Sequence, residues 1–190
     1  MLPLILNVQG RRVVVVGRGY PAQQRYEYAR DAGTELLSLY VIDQDGWACH
    51  AQAALYERLP VKADLEGAAV VLIAGLPSED TQRIAADARA AGALVNAEDD
   101  RAFCDFHVPA IVRRGDLLLT ASTGGSAPGL ARRIGAFLGE IFAPEWSQRT
   151  RKVAEARERW RSEGRPKADV ARLTDALVDR EGWLRVREDA

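Results

Sequence analysis

The sequence predicts an α/β fold: a Rossmann-like doubly wound parallel sheet, then a small α+β region and a helical C-terminal region. Three observations predict it. Short β-branched runs alternate with helical stretches four times within the first hundred residues. A glycine-containing turn joins the first run to the first helix. After about residue 110 the pattern changes to a hairpin, a helix and a densely charged tail.

The first strand is Val13-Val14-Val15-Val16, closed by Gly17. A continuous β-branched run bounded by glycine suits a strand buried on both faces. Residues 21–32 have a helical pattern, and Gly33 is a natural stop. A second strand is expected over residues 36–42, before the turn-rich Asp43-Gln44-Asp45-Gly46. A third covers residues 69–74, a helix covers 79–91, and a short fourth strand covers 93–96. Residues 111–114, Gly115 and residues 116–122 read as strand, tight turn, strand, with a helix over 126–142. Beyond Pro144 two helical stretches break around Gly164-Arg165-Pro166. The expected organisation is therefore a Rossmann-like domain over 1–110, a strand-hairpin-helix region over 111–142, and a charged helical region over 143–190.

Composition narrows the function. The 190 residues are 47% hydrophobic and 28% charged with a net charge of −1, so no basic excess points to nucleic acid. No apolar run reaches the roughly 20 residues a membrane helix needs. The start has no basic stretch ahead of a long apolar one, so it does not read as a secretory signal. Cys49 and Cys104 lack CxxC spacing, and a reducing cytoplasm is the expected compartment. The tail carries 12 Lys/Arg against 10 Asp/Glu from residue 145 to 190. Its apolar residues, among them Trp146, Trp160, Leu173 and Leu177, are numerous enough for it to fold onto a surface.

Gly17-Arg18-Gly19-Tyr20-Pro21-Ala22 fits GxGxxA directly after a strand and before a helix. The first glycine permits a tight turn, the second lets the backbone approach a pyrophosphate, and the small third residue lets helix and strand pack closely. The helix N-terminus adds free N–H groups and positive dipole. The motif alone also fits a plain tight turn; its placement between strand and helix favours a nucleotide. Asp43, 21 positions after Ala22, has two readings. It is either an acceptor for ribose hydroxyls, favouring NAD over NADP, or the first residue of a turn. Arg18 and Arg25 leave room for a phosphate.

A second constellation is more specific. Asn96-Ala97-Glu98-Asp99-Asp100 precedes Cys104-Asp105-Phe106-His107-Val108-Pro109-Ala110-Ile111-Val112, and after the hairpin comes Ser122-Thr123-Gly124-Gly125-Ser126-Ala127-Pro128-Gly129-Leu130-Ala131-Arg132. In these stretches the chain resembles the precorrin-2 dehydrogenase/sirohydrochlorin ferrochelatase family, which includes the amino-terminal module of sirohaem synthase. That family shows N-V-V-D-D, then C-D-F-x-x-P-A-I-V, then S-T-G-G-x-S-P-x-L-A-R. The resemblance runs from about residue 3 to 142.

The resemblance implies NAD-dependent oxidation of precorrin-2 to sirohydrochlorin, with insertion of ferrous iron as a further activity. It places Asp99 at the family's general base, where a carboxylate can take the proton that leaves as hydride passes to nicotinamide. From the residues alone, Asp99 and Asp100 read foremost as solvated loop acids after a strand. Gly17, Gly19, Tyr20, Pro21, Ala22, Asp43, Ala74 and Gly75 are the expected cofactor contacts. Asn96, Thr123, Gly124, Gly125, Ser126 and Arg132 are the expected substrate contacts, the glycine loop offering N–H groups to the tetrapyrrole's carboxylates. Arg113, Arg114 and Arg133 either pair with those carboxylates or lie on a solvated face. No metal ligands are expected; His50 and His107 are too sparse to form a site. The resemblance further implies a symmetric homodimer through residues beyond 110, where Leu117, Leu118, Leu119, Phe137, Leu138, Ile141 and Phe142 are apolar. The methyltransferase domain of the trifunctional enzyme has no counterpart in these residues, so methylation is expected elsewhere.

The departures from that pattern cluster on the cofactor side. The family's G-G-G-x-V-A-x-R-K has Arg18 in place of the middle glycine and Arg25 in place of the lysine. Ala74-Gly75-Leu76-Pro77 replaces A-A-T-D/N, and Glu98 replaces the second valine of N-V-V-D. A tetrapyrrole-binding or chelatase-type paralogue, a carrier without efficient oxidation, is therefore the alternative reading.

Overall fold

The computed structural model describes residues 1–42, 53–98 and 100–184. The chain divides into two compact units, residues 1–108 and 109–190, so the expected dimerisation and helical regions share the second unit.

The first unit is built on a five-stranded parallel sheet. Its strands are β1 (Arg12–Gly17), β2 (Leu36–Val41), β3 (Ala53–Tyr56), β4 (Ala68–Ala74) and β5 (Leu94–Ala97), in the order β3-β2-β1-β4-β5. Helix α1 (Gly19–Asp31) connects β1 to β2, and α2 (Ser78–Ala90) connects β4 to β5. The valines of β1 are buried on both faces because successive side chains alternate across a strand. Val14 and Val16 join Tyr40, Val71, Ile73 and Val95 in the core under Ile84, Ala85 and Ala88 of α2. Val13 and Val15 join Leu37, Leu39 and Leu72 under Tyr26 and Ala29 of α1. Ala22, Tyr26 and Ala29 recur at helical spacing, which gives α1 its single buried face.

In the second unit β6 (Ala110–Arg114) and β7 (Leu117–Ala121) form an antiparallel hairpin turned at Gly115. Helix α3 (Pro128–Ile141) lies against it so closely that a Cβ on Gly135 would stand 2.9 Å from the Cβ of Ala110. Arg114 is spent on this packing. Its Nε donates to the Phe142 carbonyl at 2.7 Å and its Nη2 to that of Gly139 at 3.0 Å, a cation on the orphan carbonyls of a helix end. This removes Arg114 from the residues free to meet a carboxylate ligand.

Helices α4 (Trp146–Ser162) and α5 (Lys167–Glu181) separate at Gly164-Arg165-Pro166, as the breaker residues there require. Ala156, Val170 and Leu177 are buried along this pair, and Lys152 meets Glu181 at 2.8 Å. Among the described residues no helix is long and apolar enough to cross a membrane.

Candidate functional site

The turn between β1 and α1 meets strict steric conditions. A Cβ on Gly17 would lie 2.0 Å from the Ala74 carbonyl oxygen and 2.8 Å from the Ala22 Cβ, so both positions must be small. Gly19 takes φ +61, which side chains disfavour, and a Cβ there would meet only Pro21 Cδ, at 3.9 Å. Gly75, at φ +68, would place a Cβ 2.5 Å from the Arg18 carbonyl oxygen. The Arg18 N–H in turn donates to Ala74 at 3.3 Å, so the two loops at the carboxyl ends of β1 and β4 pack backbone to backbone.

Arg18 precedes α1 in an extended conformation and gives it no side-chain cap, and the first turn holds no acid. The first N–H groups and the dipole of α1 are therefore available to an anion. Ala22 is fully buried, while Tyr20 is 67% exposed beside the loop, and Pro21 sits in the first turn, where no N–H is needed. Gly17, Gly19, Tyr20, Pro21, Ala22, Ala74 and Gly75 are thus brought together at one end of the sheet, and their geometry fits a dinucleotide pyrophosphate. Asp43 lies outside the described residues.

The end of β5 is the second part. Asp99 lies outside the described residues; its neighbour Glu98 donates its N–H to the Ile73 carbonyl at 2.9 Å. Asn96 is only 4% exposed, which runs against a direct substrate contact. Its Nδ2 donates to the Phe106 carbonyl at 2.8 Å, so it braces the segment that follows β5. Cys104 and Asp105 cover the outer edge of the strand. The Cys104 Sγ accepts the Ala97 N–H at 3.3 Å and lies 3.0 Å from the Ala97 carbonyl. Arg25 reaches across from α1 to within 3.9 Å of Glu98, a pairing sequence reasoning missed. The available signal was that both residues depart from the related pattern.

In the second unit, Thr123, Gly124, Gly125 and Ser126 form the turn between β7 and α3, with φ 64 and 75 at the two glycines. The Gly124 N–H donates to Ser122 Oγ, the Ala127 N–H to Thr123 Oγ1 and the Ser126 N–H to the Thr123 carbonyl. Those three N–H groups are satisfied inside the loop, contrary to the expectation that they face a ligand. Arg132 is exposed on α3. Among the described residues no group of three or more His, Cys, Asp or Glu is placed to hold a metal ion.

The parallel sheet, crossover helices and glycine turn define a Rossmann-type dinucleotide-binding fold. The family model described as "Putative NAD(P)-binding" matches residues 4–110, and the chain belongs to that family. It is 31% identical over 147 residues to siroheme synthase of Nitrosococcus oceani, across 76% of this chain and 31% of that protein. It is 37% identical over 134 residues to siroheme synthase of Ectopseudomonas mendocina, across 70% of this chain and 29% of that protein. The chain thus spans about a third of the length of these relatives. A solved structure titled "SirC, precorrin-2 dehydrogenase" superposes with a TM-score of 0.74 at 22% identity, covering 98% of this chain and 94% of that one. That likeness establishes the fold across both units.

Proposed function

We propose that the chain is an NAD-dependent oxidoreductase that converts precorrin-2 to sirohydrochlorin in sirohaem synthesis. One coincidence carries this reading: a glycine turn that sterically fits a dinucleotide occurs in a chain whose likeness to siroheme synthases extends over 76% of its length.

Gly17, Gly19, Tyr20, Pro21 and Ala22 hold the pyrophosphate, with Ala74 and Gly75 as the floor beneath them. Asp43 accepts the ribose hydroxyls. NAD, when bound, supplies the hydride acceptor. Asp99 takes the proton that the macrocycle releases as the hydride leaves, so substrate gives a hydride to the cofactor and a proton to the base, two electrons and two protons in all. Thr123, Gly124, Gly125 and Ser126 shape the tetrapyrrole site, and Arg132 pairs with a carboxylate of the substrate. The same acid serves insertion of ferrous iron, a substrate that displaces pyrrole protons. NAD is favoured over NADP because Arg25, one of two arginines on α1 and the nearer to its first turn, is turned toward Glu98 after β5. Strand β2, which leads to Asp43, lies on the other side of β1.

The second unit supports a symmetric homodimer. Leu130, Ile134, Phe137 and Ile141 lie at helical spacing along α3 and are 54, 38, 60 and 52% exposed. Such a stripe is suited to burial against its own copy. The Cys104 thiol, 3.0 Å from the Ala97 carbonyl, serves as a hydrogen-bond donor, a use compatible with a cytoplasmic setting.

The test is an anaerobic absorbance assay with enzymatically generated precorrin-2, with and without NAD. NAD-dependent formation of sirohydrochlorin is expected. Saturable tetrapyrrole binding without conversion would replace this reading with the carrier or chelatase paralogue.

A further inference from the structure

Two residues far apart in sequence, Arg25 on α1 and Glu98 at the end of β5, meet in space at 3.9 Å. Their side chains are only 18 and 24% exposed. Arg25 Nε is buried and has no hydrogen-bond partner among the described residues, where Glu98 is the acid that meets the guanidinium within 4 Å. Withdrawing an arginine this far from water is unfavourable unless an acid meets it.

The pair also occupies a defined mechanical position. Arg25 lies three residues after Ala22, on the same side of α1. Ala22 is locked against Gly17, whose backbone abuts Ala74. Glu98 is held to β4 by its N–H on the Ile73 carbonyl at 2.9 Å, and the next residue in the chain is Asp99. A continuous path of contacts therefore runs from the nucleotide turn, along the first two turns of α1, to the residue preceding the proposed base.

We propose that Arg25 and Glu98 are a positioning pair for the dehydrogenation. Together they fix the end of β5 against the helix that opens at the nucleotide turn, and so set the place of Asp99 relative to bound NAD. This inference rests on the dehydrogenase reading. Neither residue touches substrate or cofactor in it; both act through the backbone that carries Asp99. The departures at positions 25 and 98 are then one compensated change, a longer, forked cation matched by an acid.

The experiment compares wild type with Glu98→Gln, Arg25→Gln and Arg25→Lys. It measures NAD affinity by calorimetry, kcat and KM for precorrin-2 oxidation, thermal midpoint, and backbone hydrogen exchange of residues 94–98 with and without NAD. For the two glutamine variants the expected result is a fall in kcat of roughly 10- to 100-fold, as small displacements of a reacting group produce. NAD affinity should stay within about threefold, and exchange at 94–98 should quicken and lose its NAD-dependent protection. Arg25→Lys, which keeps the charge, should recover part of kcat. Unchanged kcat and exchange in both glutamine variants would overturn the pair's role. So would parallel losses of NAD affinity, kcat and thermal midpoint, the mark of a merely structural contact. If wild type binds NAD but does not oxidise precorrin-2, the dehydrogenase reading fails, and the exchange data alone decide the pair: NAD-dependent protection lost in the variants supports it, and protection retained overturns it.

Discussion

The Asp105 backbone N–H donates to the Val95 carbonyl at 2.8 Å, and the Asp105 carboxylate accepts the Val95 N–H at 2.9 Å. One residue thereby satisfies both groups that Val95 presents along the outer edge of β5. Cys104 does the same for Ala97, so the Cys-Asp pair stands in for a neighbour strand on that side, where the described residues supply none. An unpaired strand edge invites association with other chains, and here the chain covers its own.

Asp105→Ala should therefore destabilise the first unit by about 1–3 kcal/mol, the cost of stranding a partly buried N–H. Asp105→Asn, which keeps an acceptor, should recover most of this. Arg89, which also meets the carboxylate at 2.9 Å, is partly exposed and adds little. Urea denaturation of the two variants checks it; equal midpoints for Asp105→Ala and wild type would remove the brace.

At the nucleotide turn the prediction concerns space alone. A methyl group on Gly17 would fall 2.0 Å from a backbone oxygen that no side-chain rotation can move. Gly17→Ala should cost about 1–3 kcal/mol of stability, as overpacking does, and separate the β1 and β4 loops. NAD affinity should fall at least about tenfold. Gly33→Ala is the contrasting case: nothing lies within 4 Å of its added Cβ but its φ is +78, whereas Gly17 is crowded without a positive φ, so the two variants separate backbone strain from steric crowding.

The parts of this arrangement that were legible in the sequence are those set by local rules. The valine run, its glycine stop and the small residue at Ala22 must coincide for a strand to turn into a close-packed helix, so motif and geometry agree. The 164–166 break was legible for the same reason. Strand β3 was not: four residues at the edge of the sheet, pairing with β2 alone, carry too little pattern to separate them from a loop. Asn96 was an expected substrate contact through the resemblance alone, yet its partner is the Phe106 carbonyl, which only the folded chain brings near. Arg114 misled in the same way, its partners being carbonyls at the far end of α3. Arg25 and Glu98 each looked like an isolated departure; pairing across the α1–β5 distance is a tertiary fact that no periodicity encodes.

Asp64 carries the clearest pH dependence. Arg58 donates to both of its oxygens, at 2.6 and 3.0 Å, and the Val61 N–H adds a third bond. The Arg58 hydrogen bonds lead in holding its carboxyl down at about 2 against an ordinary value of 3.8. A lowered folded pKa means that the contribution is present above about pH 4 and lost as pH falls toward 2. Asp64→Asn should flatten stability over that window. Solvent screening of the half-exposed Arg58 limits the effect to on the order of 1 kcal/mol. Thermal midpoints between pH 2 and 5 measure it.

The exposed stripe of α3 leads to an association test. A charge placed among Leu130, Ile134, Phe137 and Ile141 would have to be desolvated in a symmetric interface, twice over. Phe137→Glu should convert a dimer to a monomer in analytical ultracentrifugation while leaving the monomer folded, because Phe137 is 60% exposed and supports no core. A wild-type chain that sediments as a monomer at tens of micromolar would refute the dimer directly.

The assignment of Asp99 separates binding from chemistry. If its carboxylate accepts the proton released in dehydrogenation, Asp99→Ala removes the base without touching the glycine turn that holds NAD. Oxidation of precorrin-2 should then fall by about 10²- to 10⁴-fold, the range general base catalysis supplies, with NAD affinity and thermal midpoint unchanged. Asp99→Asn keeps the shape but cannot take a proton at neutral pH, so it should be as slow as the alanine variant; were it nearly as active as wild type, Asp99 would be a binding residue instead. Asp100 provides the internal comparison. Its Oδ1 accepts the Ala102 N–H at 3.1 Å, a turn contact, so Asp100→Asn should keep most of the activity. An Asp100 variant as inactive as the Asp99 variants would mean that the acidic pair acts as a unit, and the base could no longer be assigned to one carboxylate.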